Sequence, residues 1–440
     1  MYDVTIVGGG IMGSALAYSH IALTSVGSVL LLEKNNDLAL VNSQPLNNAE
    51  TLHDGATETN MALSYALIMK RDAGLMAAFL KKYGEGSYRK VSKGVVGIGA
   101  EEIKILEERF EEFKPHYSTL TFLRGAEIAL WEPKIMEGRK NPGEVVAILE
   151  REAYSVDYQK AARAFVNRAK EEAVVSGKIF EVKLNIKAKD IKDRGEYFEI
   201  ETNGGAFATK IVIFAAGPYS LIFAHKLGFG KKYSLVPIAG DFYTADHLVD
   251  SKVYTVQPKA IPVARVHADP AVYNPLETRL GPTAKILPFL ERHHLITFFD
   301  FIRTGILSAA GIYSLTLALL KPEFRSFEFL NILYQTPYLG KWLFLKYAAR
   351  HLFPALKYRD IRLAKGAGGI RPQMINLKTH VLEMGIGEIF GNKRSCFIVT
   401  PSPGASKALG TAIEIAKWSV KELGDRHGFD EKKFEEEFAI

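Results

Sequence analysis

Asp3-Val4-Thr5-Ile6-Val7 runs straight into Gly8-Gly9-Gly10-Ile11-Met12-Gly13 and on through Ser14-Ala15-Leu16-Ala17. The first five residues are an apolar run typical of a buried parallel strand, and the last four favour a helix. Between them stands G-x-G-x-x-G, in the strand-to-helix setting that gives the motif its meaning. Gly8 permits the tight turn, Gly10 lets backbone approach a pyrophosphate, and Gly13 lets the helix pack close to the strand. The helix N-terminus adds free N–H groups and a partial positive charge for phosphate. A second apolar run, Ser28-Val29-Leu30-Leu31-Leu32, ends in Glu33. A carboxylate there can accept hydrogen bonds from both hydroxyls of an adenosine ribose and would repel a 2′-phosphate. These residues predict a dinucleotide site.

The bulk numbers bound the rest. A chain of 440 residues, 48% hydrophobic and 24% charged, can bury a large core and should hold more than one structural unit. The net charge of +7 is spread along the chain, so nucleic-acid binding is not indicated, whereas a basic face toward an anionic membrane or substrate is compatible with it. The single cysteine, Cys396, excludes an intrachain disulfide, a CxxC redox pair and a cysteine-rich metal site. No signal peptide is read before the first strand, so the expectation is a reducing, cytoplasmic compartment, with peripheral attachment to the inner face of the cell membrane as an option. There is no H-E-x-x-H, no EF-hand loop and no G-x-S-x-G elbow.

Along the chain, residues 35–60 are polar and irregular, a loop long enough to be functional. Helical periodicity resumes over Met61–Tyr83, followed by a strand over Ser92–Ile98, a charged helix near Glu101–Phe113, an amphipathic helix within Tyr154–Ser176, and two strands around a turn at Asp193-Arg194-Gly195. Lys210–Phe214 is another buried strand, ending in Ala215-Ala216-Gly217-Pro218. Residues 234–243 and 260–287 are β-rich, with Gly281-Pro282 at a turn; residues 295–356 are apolar, aromatic and mostly helical; Lys365-Gly366-Ala367-Gly368-Gly369 breaks that region. A strand at Cys396–Val399, a turn at Ser402-Pro403-Gly404 and a helix over Ser406–Leu423 close the chain. The expected architecture is α/β, α+β overall. A discontinuous Rossmann-like unit spans 1–75, 150–235 and 365–440, and a β-sheet plus helical unit is inserted as 76–149 and 236–364, with the ligand in the crevice between them.

Five separated stretches occur in one order: Val7–Gly13, Asn47-Asn48-Ala49-Glu50-Thr51-Leu52-His53, Ala216-Gly217-Pro218, Val236-Pro237-Ile238-Ala239-Gly240, and Thr400-Pro401-Ser402-Pro403-Gly404-Ala405-Ser406. Together they resemble the FAD-dependent D-amino-acid-oxidase-like superfamily, and within it malate:quinone oxidoreductases and L-2-hydroxyglutarate dehydrogenases. The chain departs from the malate:quinone pattern at Glu50 and Leu52, where glycine is usual, and at Pro275 and Glu277, where histidine and aspartate are usual. The resemblance implies that the Rossmann-like unit binds FAD and the inserted unit binds substrate. It places FAD against Gly8, Gly10, Ile11, Met12 and Gly13, against Glu33 and Lys34, against Asn48, Ala49 and Thr51, against Ala216 and Gly217, and against Pro403, Gly404, Ala405 and Ser406.

A flavin dehydrogenase needs a base for the substrate hydroxyl, a cation for its carboxylate, and stabilisation of charge on the reduced ring. For the last, the Ser402–Ser406 turn before a long helix offers N–H groups and a helix dipole; the alternative is a plain turn with Ser406 as an N-cap. For the base, His53 and His267 stand equal, with His380 in reserve and His293-His294 discounted as an exposed helix end. For the cation, Arg371 follows two glycines and Arg279 precedes Leu280-Gly281-Pro282; Lys407 and Tyr273 are weaker options. Thr304–Leu320 is uncharged but short for a membrane span and ends at Lys321-Pro322. Phe324, Phe327, Phe329, Tyr334, Tyr338, Trp342, Phe344 and Tyr347 interleave with Lys321, Arg325, Lys341, Lys346 and Arg350, so that residues 304–350 suit either the headgroup region of a membrane or a packed helical subdomain. The resemblance implies oxidation of a small, malate-like 2-hydroxy acid with quinone as acceptor. The rivals are L-2-hydroxyglutarate or amino-acid oxidation on the same frame, and a flavin-binding protein whose site has decayed.

Overall fold

The computed structural model describes residues 1–257, 266–272, 274, 276–281, 283–320, 322–383, 387–392, 394–399 and 403–438. Of the residues named above, Tyr273, Pro275, Pro282, Lys321, Thr400, Pro401 and Ser402 lie outside the described residues.

The opening run forms the strand Tyr2–Val7, central in an eight-stranded sheet. Ser28–Leu32 pairs parallel to one side of it and Gly205–Phe214 to the other. Ile179–Lys183 and Ser395–Val399 extend the parallel core outward. Strands covered on both faces must be apolar throughout, and Val4, Ile6, Val29, Leu31, Ile211 and Ile213 are fully buried. The helices Ile11–Leu23, Tyr158–Ser176 and Ala408–Leu423 share the core on one face.

At Gly8 the backbone turns with φ +110°, and a Cβ there would lie 2.5 Å from the Ala215 carbonyl oxygen. A Cβ at Gly13 would overlap the Gly8 carbonyl oxygen. Both glycines are thus required by crowding between the first strand, its helix and the strand Gly205–Phe214.

A second eight-stranded sheet runs in the order Ile361–Leu363, Tyr243–Asp246, Glu277–Gly281, His267–Pro270, Lys252–Thr255, Tyr88–Ile98, Val145–Val156, Leu120–Arg124. A small four-stranded sheet pairs Tyr233–Ala239 with Ile370–Asn376, with Lys285–Ile286 and Leu382–Glu383 at its edges. The strand Val145–Val156 crosses residue 150 and belongs to the second sheet, and Ile370–Asn376 belongs to the small one, so strand pairing does not follow the segment boundaries expected at 150 and 365. The amphipathic helix expected to be entered through Ser155-Val156-Asp157 begins at Tyr158, because Tyr154–Val156 are paired with Tyr88–Lys90 and the Asp157 carboxylate caps the helix, accepting from the N–H groups of Gln159 and Lys160, both at 3.0 Å. Residues 178–202 hold three strands where two were expected.

The apolar stretch is a chain of short helices, Thr297–Phe301, Ala309–Leu320, Pro322–Leu333 and Leu339–Phe344, broken where Gly305 (φ +83°) and Tyr338 (φ +58°) leave helical geometry. Among the described residues, no helix is long and apolar enough to cross a membrane. The end of this region packs on the second sheet, with the Phe344 and Tyr243 rings stacked at 4.3 Å.

Crowding at Gly13 makes a specific forecast. Gly13→Val should destabilise the protein by about 1–3 kcal/mol or more, as overpacking does, whereas Gly74→Ala, in a helix with open space around it, should stabilise by about 0.5–1 kcal/mol. Melting temperatures of the two variants check both signs.

Candidate active site

A cavity of about 870 Å³ opens where the glycine turn, the loop after Glu33, the small sheet and the second sheet meet. Gly8, Gly10, Ile11 and Met12 line it, as do Glu33 and Lys34, Asn48, Ala49 and Thr51, Ala216 and Gly217, and Pro403, Gly404, Ala405 and Ser406. His53, His267 and Arg371 line the same cavity, and His380 reaches it as well. Two expected residues do not line it. Gly13 sits behind the turn, and Arg279 is buried in the wall.

Arg279 is engaged elsewhere. Its guanidinium pairs with the Glu50 carboxylate and donates to the carbonyls of Pro45 (2.9 Å) and Asn48 (3.1 Å). The physical reason is the backbone of the loop, whose carbonyls have no ladder to join. Three further buried cations serve the same loop. Lys252 donates to the Ala49 carbonyl at 2.7 Å. Arg109 donates to the carbonyls of Gly55, Ala56 and Met61, the last two at 3.1 and 3.0 Å. Lys93, wholly buried, contacts Asp54 at 2.6 Å and Glu58 at 3.0 Å. The loop is therefore fixed by side chains that come mostly from the second sheet.

That fixation places His53. Its N–H donates to Ser406 Oγ at 2.8 Å, tying the loop to the turn before the last helix. Its Nδ1 lies 2.7 Å from Glu58 Oε1. Ser406 is not an N-cap: the helix runs Ala408–Leu423 with Lys407 as its cap residue and no capping side chain. The Ser406 hydroxyl instead braces His53, and it is buried. Lys407 lies over the Tyr65 ring at 5.4 Å.

His267 sits on the other side of Tyr254, whose ring is 4.8 Å from it and 6.3 Å from His53. Its Nδ1 faces Asp269, which also holds Lys252 at 3.0 Å. Burial lowers the pKa of His267 despite the neighbouring carboxylate, so its neutral form is favoured. Burial alone would raise Asp269 and Glu58, but the cations beside them, with His267 and His53, hold both below the usual carboxylate range. His380 is bonded to Ser314 Oγ at 2.7 Å.

Arg371 stands apart. Burial brings its pKa down to about 10, leaving it cationic near neutrality. Among the described residues no carboxylate or carbonyl pairs with its guanidinium. The glycines before it serve crowding between chain segments: a Cβ on Gly369 would lie 2.5 Å from the Asn47 carbonyl oxygen. Two positions beyond, Gln373 is buried on the cavity wall with its amide oxygen unpartnered.

Sequence reasoning missed Glu58, Lys93, Lys252, Asp269, Tyr254 and Gln373. No local signal marked Lys93 and Lys252, which prove to be cross-strand partners, both wholly buried.

The lining fits a dinucleotide. Glu33 Oε2 accepts from Gly9 N–H at 2.7 Å and Oε1 from Asn35 N–H at 2.9 Å, so the carboxylate braces the glycine turn at the cavity edge. Lys34 pairs with Glu291 over the Tyr219 ring. The Gln373 amide oxygen and the Arg371 guanidinium, without partners among the described residues, are polar groups that a ligand in the cavity would satisfy.

Comparison with known proteins agrees. The chain matches the model of the family described as FAD dependent oxidoreductase over residues 3–418. It is 33% identical to a probable malate:quinone oxidoreductase of Campylobacter jejuni over 99% of this chain and 98% of that one. It is 31% identical to the malate:quinone oxidoreductase of Helicobacter pylori strain 26695 over 96% of this chain and 95% of that one. The human mitochondrial L-2-hydroxyglutarate dehydrogenase is 26% identical over 94% of this chain and 88% of its own length. Among solved structures, glycine oxidase from Geobacillus kaustophilus superposes with a TM-score of 0.65 at 18% identity, covering 96% of this chain and 95% of its own. The chain belongs to the FAD dependent oxidoreductase family. It is an enzyme of that class, and its cofactor is FAD.

The clamp on the loop is testable. Arg279→Met leaves Glu50 buried without its partner and should cost about 3–5 kcal/mol, read as a lowered melting temperature. Acid should act in the same direction. Glu58 and Asp269 bind protons more weakly folded than unfolded, so their contribution is present above the ordinary carboxylate pKa, about 4, and is lost as pH falls below it. Melting temperature should hold from pH 8 to pH 6 and fall steeply below about pH 4.

Proposed function

We propose that this FAD enzyme oxidises a small 2-hydroxy acid of the malate class and passes the electrons to a quinone. One observation carries the substrate class: the Arg371 guanidinium, which has no carboxylate or carbonyl partner among the described residues, lines the same cavity as a histidine whose Nδ1 is engaged by a carboxylate. A carboxylate satisfies Arg371 with two parallel hydrogen bonds. His53, with Nδ1 turned to Glu58, offers Nε2 to the substrate hydroxyl and takes its proton. His267, kept neutral by burial, and Tyr254 shape the wall between the two histidines and exclude water from the reacting carbon. When bound, FAD supplies the hydride acceptor. The full-length similarity at 31–33% to malate:quinone oxidoreductases supports malate and quinone. The similarity at 26% to L-2-hydroxyglutarate dehydrogenase supports the longer homologue as the second reading.

Quinone is dissolved in the bilayer, and the short helices of residues 295–347 suit contact with its surface. Phe299, Leu320, Phe329, Tyr338, Trp342 and Tyr347 are exposed there, and Lys346 lies over the Trp342 and Tyr347 rings at 5.0 and 4.9 Å. Exposed aromatics beside lysines fit the headgroup layer, with the aromatic faces in the acyl boundary and the ammonium groups on anionic lipid.

Two measurements test these readings. Anaerobic mixing with malate, 2-hydroxyglutarate and amino acids should bleach the flavin bands with malate fastest; Arg371→Ala should raise the malate KM by at least tenfold, as loss of a charged carboxylate contact does. Bleaching by amino acids alone defeats the hydroxy-acid reading. In flotation with anionic liposomes the protein should rise with the vesicles, and the triple substitution Phe299→Ser, Phe329→Ser, Trp342→Ser should leave it in the soluble fraction. A wild-type protein that stays wholly soluble removes the membrane reading.

A further inference from the structure

We propose that Glu58, clamped by Lys93, is the positioning residue that directs His53 Nε2 at the substrate hydroxyl. This rests on the reading that His53 receives the hydroxyl proton.

The geometry is specific. Glu58 is 4% exposed and lines the cavity. Its Oε1 lies 2.7 Å from His53 Nδ1 and 3.0 Å from Lys93 Nζ. Lys93 projects from the strand Tyr88–Ile98 and is itself wholly buried, with Asp54 at 2.6 Å as its second partner. A carboxylate beside an ammonium carries no proton and can only accept. The hydrogen between Glu58 and His53 therefore belongs to Nδ1, and the neutral ring keeps its lone pair on Nε2. No described residue bonds to that Nε2.

The consequence for the reaction follows in balance. As the substrate O–H bond breaks, its proton forms a new N–H bond at His53 Nε2. The O–H electron pair becomes the second bond of the carbonyl as the hydride leaves the carbon, and FAD, when bound, would supply the acceptor for that hydride. The imidazolium so formed lies against an anion already in place, which stabilises the charge as it develops. The array Asp54, Lys93 and Glu58 carries one more negative than positive charge, so it accommodates one added proton on His53. Arg109, Tyr117 and Tyr254 are further titratable groups near this array; Arg109 is spent on loop carbonyls, the Tyr117 hydroxyl donates to the Asp54 carbonyl at 2.8 Å, and the Tyr254 hydroxyl is bonded to Thr51 Oγ1 at 2.7 Å.

His267, Asp269 and Lys252 repeat the plan on the neighbouring strands, with Lys252 in register with Lys93. They form an internal control, because a change at Asp269 should not alter the proton on His53.

The test uses holoprotein labelled with 15N in its histidine rings, the His53 signals being identified by their loss in His53→Gln. In the wild type the ring proton should sit on Nδ1. In Glu58→Gln that preference should be lost, kcat should fall by about tenfold or more, and KM should stay within threefold, while Asp269→Asn leaves the His53 signals unchanged. A wild-type His53 carrying its proton on Nε2 overturns the proposal, and this result is available even where Glu58→Gln does not fold. A Glu58→Gln enzyme with unchanged kcat and unchanged His53 signals overturns it equally. If no hydroxy acid bleaches the wild-type flavin, the functional reading fails on its own, and the nitrogen signals still decide the placement of the proton.

Discussion

Between Asn35 and Ala62 the chain has little regular structure, yet it forms one wall of the cavity and carries His53. Backbone carbonyls held away from water require donors, and a loop cannot supply them from its own ladder. Here the donors are buried cations: Arg279 on Pro45 and Asn48, Lys252 on Ala49, Arg109 on Gly55, Ala56 and Met61. Lys93 adds the side chains of Asp54 and Glu58. Each charge is desolvated, which is expensive unless it is paired and fully bonded, so the loop has little freedom to take another course. The position of His53 is in effect set by the second sheet.

The same economy explains why so few polar groups remain open to a ligand. Glu50 is occupied by Arg279 and by the Val272 N–H at 3.0 Å. Glu33 is occupied at the glycine turn, and Asp269 by Lys252 and His267. Among the groups of cavity-lining residues that no described residue pairs with are the Arg371 guanidinium, the Gln373 amide oxygen and the Nε2 edge of His53. A cation and an imidazole nitrogen facing one space are the features on which the proposal of an anionic hydroxy-acid substrate rests.

Legibility in the sequence follows the range of the interaction concerned. The glycine turn was readable because strand, turn, helix and Glu33 act within a short span, and the crowding at Gly8 and Gly13 is local. The cavity-lining turns at Ala216-Gly217 and Pro403–Ser406 were readable for the same reason. Arg279 was unreadable. A buried arginine pairing with Glu50 and one gripping a substrate have the same local sequence, and only the fold brings position 50 to position 279. Lys93 and Lys252 look like the solvent side of alternating strands until the loop is seen to cover them. The strand Val145–Val156 was hidden by Glu150-Arg151-Glu152, a charged interruption that in the sheet keeps Glu150 buried beside the Thr119 hydroxyl.

The fold supplies a glycine cradle for FAD, and in the proposed reaction the second sheet holds the loop that carries His53. The direct measurement is single-turnover reduction of the bound flavin, without oxygen, by malate carrying deuterium in place of hydrogen at C2. The account predicts full bleaching by either isotopologue, slower with deuterium, because transfer of that hydrogen to the flavin is the step the site is built around. Reduction at equal rates that persists in His53→Gln, or no reduction at all, would contradict it.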